Sequence, residues 1–368
     1  MKLATVRKFF LGVIKVIGLY DRYAQIRFNT NRNKVIPVSQ KPKKNVMNIL
    51  DFQQEARSLL IVVPSYYLNN GDHAQGNFYF EIFESAKEKY PEWEVKVHFC
   101  EEGQEWQSGL IERIKGFNPS ILLISGEIDP NGTSECSLDL FVHNLSKVWQ
   151  GATCYLLFDS AFPLHIWRLK RLIRINSKCF IVAIDRDLNK EENMTALSIG
   201  PIFLPISQKS MRIIRELITA KVNEESLETM FISFIGQEYP YRKKLLAKIE
   251  REFPNLKINP QLEMANPKSY LSYMTALSLS TYTLNLSRQH VIKRNQLKCR
   301  VLEAALNGSH IISDEQKYSG VFLEVNKHFF FSNFDRSSLR KLINDARDFK
   351  PDKSQIILRA EAANTFFF

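Results

Sequence analysis

The signatures that most readily announce a chemistry are missing from this chain of 368 residues. No G-x-G-x-x-G follows an apolar run, so a dinucleotide-dependent dehydrogenase is poorly supported. There is no Walker A loop of glycines ending in lysine, and no G-x-S-x-G elbow. Cysteine is sparse and odd in number: Cys100, Cys136, Cys154, Cys179 and Cys299 share no CxxC spacing. Most of them sit in apolar stretches, so buried reduced thiols in a cytosolic compartment are expected rather than disulfides. No His/Cys/Asp cluster shows the spacing of metal ligands, so no metal is expected. The longest run without charge is too short to cross a bilayer, and no small-residue cleavage site follows the apolar N-terminus.

What is present is ordinary in amount and uneven in sign. Hydrophobic residues make up 45% and charged residues 24%, as in soluble globular proteins. The chain is long enough for two α/β domains, each with its own core. Lys and Arg number 50 against 39 Asp and Glu, a net charge of +11. An anionic partner fits that excess, whether nucleic acid, acidic lipid or nucleotide phosphate, and so does plain solubility. The cations are spread rather than interleaved with aromatics in a stripe, so no nucleic-acid partner is expected. Several N-x-S/T triplets, including Asn131 to Thr133 and Asn307 to Ser309, read as coincidences.

Residues 1–27 alternate apolar and basic positions, Phe9, Phe10, Val13, Ile14 and Tyr20 against Arg7, Lys8, Lys15 and Arg22. Two readings stay open: a helix lying on an anionic membrane surface, or one packed on the protein's own body. A polar, basic, proline-containing tether follows over 28–46. From Leu59 the pattern changes to alternating strands and helices. The continuous apolar run over 59–63 suits a strand buried on both faces of a parallel sheet. Helices are expected over 78–89, 106–115, 138–149 and 163–175, between strands over 93–99, 120–124, 154–158 and 179–184. A charged helix over 209–228 leads to a second series, with strands over 230–235, 256–258, 283–286, 310–312 and 329–332. Its helices are expected over 242–253, 267–276, from Lys298, and over 337–346. Such alternation implies parallel sheets wound by right-handed crossovers. The fold class is therefore α/β, two Rossmann-like domains facing each other across a cleft. Residues 1–50 form the basic segment and tether, 51–205 the first domain and 206–368 the second. The chain stops at three phenylalanines, expected to dock on the body or to continue into further chain.

The richest stretch runs over 284–313. An apolar strand ends in Ser287 and Arg288, and a loop carries Lys293, Arg294, Asn295 and Gln296. A helical pattern follows with Val301, Leu302, Ala305 and Leu306 on one face. Arg300, Glu303 and Asn307 fall on the other. Gly308 is placed to end the helix in the left-handed conformation. A helix start preceded by cations, at the carboxyl end of a parallel strand, suits a phosphorylated ligand. The plainer alternative for Arg300 and Glu303 is an exposed ion pair three residues apart.

The residues Tyr270-Leu271-Ser272, Leu284-Asn285-Leu286-Ser287-Arg288, Asn295 through Ala304, and Gly308 resemble the nucleotide-sugar half of GT-B glycosyltransferases of the CgeB-like group. Phe234-Ile235-Gly236 with Arg242 resembles the start of that half. The resemblance covers about the last 140 residues and is architectural before them. It implies a glycosyltransferase using a nucleotide-sugar co-substrate, with no cofactor and no metal. On this resemblance Glu303 accepts hydrogen bonds from the ribose hydroxyls, and Lys298, Arg300 and Arg288 hold the diphosphate. Gly236, Arg242, Asn295 and Gln296 complete the implied donor site. The sequence departs from the group at Cys299, where glycine or alanine is usual, and at Leu302, where phenylalanine is usual. It departs again at Asn295, where relatives with paired glutamates carry the first of them.

For the acceptor, expected to be a surface glycan, a lipid-linked glycan or a protein, His73 is the candidate base. It lies in a glycine-bearing loop after the first strand. Glu127 is the second candidate, and Asp72 and Asp159 compete with them. Each also reads as a loop or capping residue. His98 and His143 read as structural. The expected setting is cytoplasmic, and peripheral at the inner membrane on the membrane-surface reading of residues 1–27. The alternatives are a catalytically inactive relative that binds a nucleotide or glycan as a scaffold, or a basic RNA- or lipid-binding protein.

Overall fold

The computed structural model describes residues 57–64, 74–100, 106–126, 138–157, 163–174, 178–183, 188, 197–199, 205–223, 231–235, 240–252, 257–261, 270–278, 280–286, 300–313, 329–331 and 335–348. The basic segment over 1–50 lies outside them. No helix among the described residues is long and apolar enough to cross a membrane.

The first series is β1 (Ser58–Pro64), α1 (Ala74–Lys89), β2 (Glu94–Cys100), α2 (Trp106–Phe117), β3 (Ile121–Ser125), α3 (Leu138–Val148), β4 (Ala152–Leu157), α4 (Pro163–Leu172), β5 (Cys179–Ala183) and β6 (Leu197–Ile199). Its strands form one sheet in the order β2-β1-β3-β4-β5-β6, every pair parallel. A parallel neighbour cannot be reached by a tight turn, and a crossover helix follows each of β1 to β4. Both sheet faces are thereby covered. That is why β1, β3 and β4 are apolar along almost their whole length and buried. Alternate residues of β1 serve opposite cores. Leu60 and Val62 meet α2, α3 and α4 through Leu110, Leu145 and Leu169. Leu59, Ile61 and Val63 meet α1 through Tyr79, Ile82 and Ala86. Tyr155 of β4 is fully buried, and its hydroxyl donates to the Leu172 carbonyl at 2.5 Å, pinning the end of α4 to the sheet. Cys100 and Cys154 are buried free thiols and Cys179 a partly buried one, as their apolar settings predict.

The second series is α5 (Gln208–Asn223), β7 (Phe231–Ile235), α6 (Pro240–Glu252), β8 (Lys257–Gln261), α7 (Tyr270–Ser278), β9 (Tyr282–Asn285), α8 (Arg300–Leu306), β10 (His310–Ser313), β11 (Phe329–Phe331) and α9 (Arg336–Asp348). The sheet order is β11-β10-β9-β7-β8, again parallel throughout. Counted from its own first strand this is the order 5-4-3-1-2, the same winding as the first five strands. The chain carries a repeat of topology that its residues do not show. Asp335 caps α9, accepting from the Ser338 amide at 2.9 Å and from the Ser337 hydroxyl at 2.7 Å. Glu252 at the end of α6 binds Arg336 and Arg340 of α9.

Several boundaries differ from the sequence expectation. Helix α1 starts at Ala74, four residues early, because its polar first turn shows no apolar period. Strand β6 was not foreseen: three residues, Leu-Ser-Ile, are too few to make a pattern. Helix α8 is described from Arg300, and the expected start at Lys298 lies outside the described residues.

The two sheets are joined through one helix start. Ser207 caps α5, its hydroxyl accepting from the Ser210 amide at 3.2 Å. Glu81 of α1, 7% exposed, accepts from the Ser207 amide at 2.7 Å and the Ser210 hydroxyl at 2.5 Å. Glu88, two turns along α1, accepts from the Gln208 amide at 2.8 Å. Unpaired amides at a helix start attract carboxylates. Here the carboxylates come from a helix more than a hundred residues away. Met211, Ile214 and Ile218 of α5 are buried, and α5 packs on α7, which also touches α1.

Burial holds the Glu81 carboxyl above its ordinary value, against the lowering pull of its bonds from Ser210 and Ser207. A carboxyl raised in the folded state stays protonated there while the unfolded chain ionises. Its contribution is therefore fullest below the ordinary value and is lost as pH rises through the raised one. Glu81→Gln removes that titration. The melting temperature of the variant relative to the parent is expected to rise as pH goes from about 4.5 towards 7. A pH-independent difference between the two melting curves would contradict it.

Candidate functional site

In a sheet of this winding the connections leave in opposite directions at one point, and the crevice there opens beyond the strands' carboxyl ends. In the second sheet that point lies between β7 and β9, since β8 flanks β7 on the other side. Residues 287–299, outside the described ones, follow β9 in the chain.

Arg242, in the first turn of α6, spans the point. It is 6% exposed, and its Nη2 donates to the Leu286 carbonyl at 3.3 Å, one residue past β9. Its guanidinium lies 5.7 Å from the Phe234 ring centroid. Beside it Asn285, at the end of β9, donates from Nδ2 to the Ser313 hydroxyl at the end of β10, 3.0 Å away. The Ser233 and Thr283 hydroxyls meet at 3.4 Å within the sheet. The carboxyl ends of three neighbouring strands are thus tied by side chains as well as by the ladder.

Helix α8 departs from its expected two-faced character. Val301, Ala305 and Leu306 are buried, as the apolar pattern predicts, and Ala304 with them, but so are Glu303 (5% exposed) and Asn307 (0%). The reason is α7, which packs over what the sequence marks as the polar face. The Glu303 carboxylate accepts a hydrogen bond from the Tyr273 hydroxyl. Asn307 donates to the Glu303 carbonyl at 2.8 Å and lies 3.5 Å from the Met274 sulfur. Glu303 is therefore buried rather than exposed on a solvated face. Being buried, Asn307 is no glycan acceptor either. The helix ends as its glycine predicts. Gly308 has φ 70°, its amide donates to Ala305, and the Ser309 amide donates to Ala304, both at 2.9 Å.

Of the residues expected to hold the donor, Arg242 and Glu303 are brought to the same end of the second sheet, and Arg300 opens α8 beside them. Gly236, Arg288, Asn295, Gln296 and Lys298 lie outside the described residues. In the first sheet the corresponding point falls between β1 and β3. The connections leaving those two strands contain His73, with Asp72, and Glu127, all outside the described residues, as is Asp159. Gly126, one residue past β3, is held close to β4: its amide donates to the Leu156 carbonyl at 2.6 Å. A Cβ there would meet Leu157 Cδ1 at 3.1 Å and that carbonyl at 3.2 Å, so a larger residue would push the start of the next connection aside. His98 sits in β2, its pKa lowered by burial and by Arg113, and His143 is exposed on α3.

Sequence reasoning missed Tyr273, although Tyr273, Met274 and Leu277 fall at three- and four-residue spacing and are all buried. It also missed Glu81, whose partners are too distant in the chain to be paired by spacing.

No family model matches the chain, and no curated protein matches it. Among solved structures, sucrose-phosphate synthase from Thermosynechococcus elongatus superposes with a TM-score of 0.52 at 7% identity, over 84% of this chain and 95% of that one. The UDP-GlcNAc 2-epimerase of Methanocaldococcus jannaschii gives 0.45 at 12% identity, over 82% and 98%. A glycosyltransferase from Rickettsia africae gives 0.43 at 9%, over 85% and 94%. At such identities the likeness is one of fold, and the synthase carries it. The fold is GT-B, α/β with two Rossmann-like units.

Replacing Arg242 with Met keeps most of the volume and removes the guanidinium. The Leu286 carbonyl then loses a charged donor in a buried setting, which should cost about 1–3 kcal/mol. Urea unfolding of Arg242→Met against the parent measures it. A difference within a few tenths would show that the staple is idle.

Proposed function

We propose that the chain transfers a glycosyl group from a nucleotide-sugar donor to an acceptor hydroxyl, without a metal. The observation that supports this most is the buried Glu303 carboxylate. It sits in the first turn of α8, next in the chain after the β9 connection, and Tyr273 fixes one side of it. A desolvated carboxylate fixed in this way makes a strong acceptor for paired ribose hydroxyls. Arg300 follows the same connection, which also contains Arg288 and Lys298. In this reading these cations receive the diphosphate. Charge grows on that leaving group as the glycosidic bond breaks, so cations fixed there favour the transition state over the ground state. Solved structures of like fold include a sucrose-phosphate synthase.

On the acceptor side the reading assigns proton removal to His73 or Glu127, in the connections after β1 and β3. The acceptor class is a glycan, a lipid-linked glycan or a protein. We place the enzyme in the cytoplasm, with residues 1–27 as one contact to the inner membrane face.

A nucleoside diphosphate at about a hundredfold above its Kd is expected to raise the melting temperature by roughly 3 °C. The panel is UDP, GDP, ADP, CDP and TDP. Glu303→Ala should abolish the rise, and Glu303→Gln, which keeps the volume and the Tyr273 bond, should weaken it. A flat response of the parent to all five nucleotides would overturn the donor site. A shift without donor hydrolysis or transfer would favour an inactive nucleotide-binding relative.

A further inference from the structure

Helix α4 carries a face that neither the core nor the proposed site uses. Ile166, Leu169, Leu172 and Ile173 are buried against the sheet. On the opposite side Trp167, Lys170 and Arg171 of the helix, and Arg174 in the turn just past it, recur at spacings of three and four. Trp167 is 37% exposed, one of two large apolar side chains so exposed among the described residues. Lys170 and Arg174 are exposed, as is Lys178 just before β5, and exposed Lys147 projects from the adjoining α3. The Arg171 guanidinium lies 3.5 Å over the Trp167 ring. Residues 160–184 contain five Lys and Arg and no Asp or Glu. Soluble helix faces usually intersperse both signs, and the described residues of this one carry only cations.

We infer that this face is a docking surface for an anionic lipid bilayer. An indole at the rim of a basic helix face sits at headgroup depth, with its ring in the interface and the cations on the phosphates. Several Lys and Arg within a Debye length of an anionic leaflet add their attractions. Nucleic acid is the less suitable occupant. One ring face is already covered by Arg171, and the patch lies on a convex helix rather than in a groove lined by several aromatics. The inference is independent of the nucleotide-sugar reading. It adds a second contact, on the folded body, to the one assigned to residues 1–27.

The test uses the full chain with phosphatidylcholine vesicles, with and without phosphatidylglycerol. The parent should bind the anionic vesicles, release at high salt and bind neutral vesicles poorly. Trp93, Trp106 and Trp149 are buried. A blue shift and protection from a soluble quencher on vesicle addition therefore report Trp167. Lys147→Gln, Arg174→Gln and Lys178→Gln together should lower the binding constant roughly tenfold or more without moving the melting temperature. Trp167→Ser should remove the spectral change. Unaltered vesicle binding by the triple variant would overturn the inference, including the case where residues 1–27 suffice alone. So would an unprotected Trp167, or a variant that loses single-stranded RNA binding while vesicle binding stays intact.

Discussion

A parallel strand cannot turn back on its neighbour within two residues. The return must cross a face of the sheet, and a helix is the cheapest way to satisfy the backbone on the way. That constraint operates twice along this chain, with the same winding each time. It dictates that the strands are apolar on both sides, that helices cover both faces, and that the connections open at one end of each sheet. The point where the winding reverses leaves a crevice there. In the second sheet Arg242 crosses it, tying α6 to the chain just past β9. The candidate site inherits its position from the winding before any of its side chains act.

Around α7 and α8 the protein buries polar groups that a surface helix would leave in water. Glu303, Asn307, Ser309 and Tyr273 are enclosed together, and each has a partner: Tyr273 for Glu303, the Glu303 carbonyl for Asn307, the Leu277 and Ser280 carbonyls for Ser309. Burying such groups is unfavourable unless they are bonded, and bonded they allow few alternative arrangements. The result is a carboxylate whose direction is set before a ligand arrives. Glu81 does similar work between the two halves. Its bonds fix the start of α5, and α5 in turn lies on α7, so the inter-sheet joint and the site share a helix.

The class of fold was legible because its signal is local and repeated. Apolar runs such as 59–63 and 121–124 need no partner to be recognised, and the breaks after them mark the connections. Gly308 was legible for the same reason, since a left-handed helix end asks for glycine whatever surrounds it. Strand β6 was not, because three residues carry no period. Glu303 was named a candidate by resemblance, and its burial did not follow from its helical spacing. Periodicity places a residue on a face of its helix and says nothing of what lies against that face.

The sequence by itself thus determined the alternation of strand and helix, the parallel sheets that follow from it, and the candidate position for an anionic ligand. Each rests on interactions between residues a few places apart. The tertiary structure decided which polar residues are enclosed: Glu303 under α7, and Glu81 at the start of α5. It decided too that the basic stripe of α4 faces outward with Trp167. Those outcomes depend on which elements meet across more than a hundred residues of chain. Packing settles that, and no local pattern encodes it.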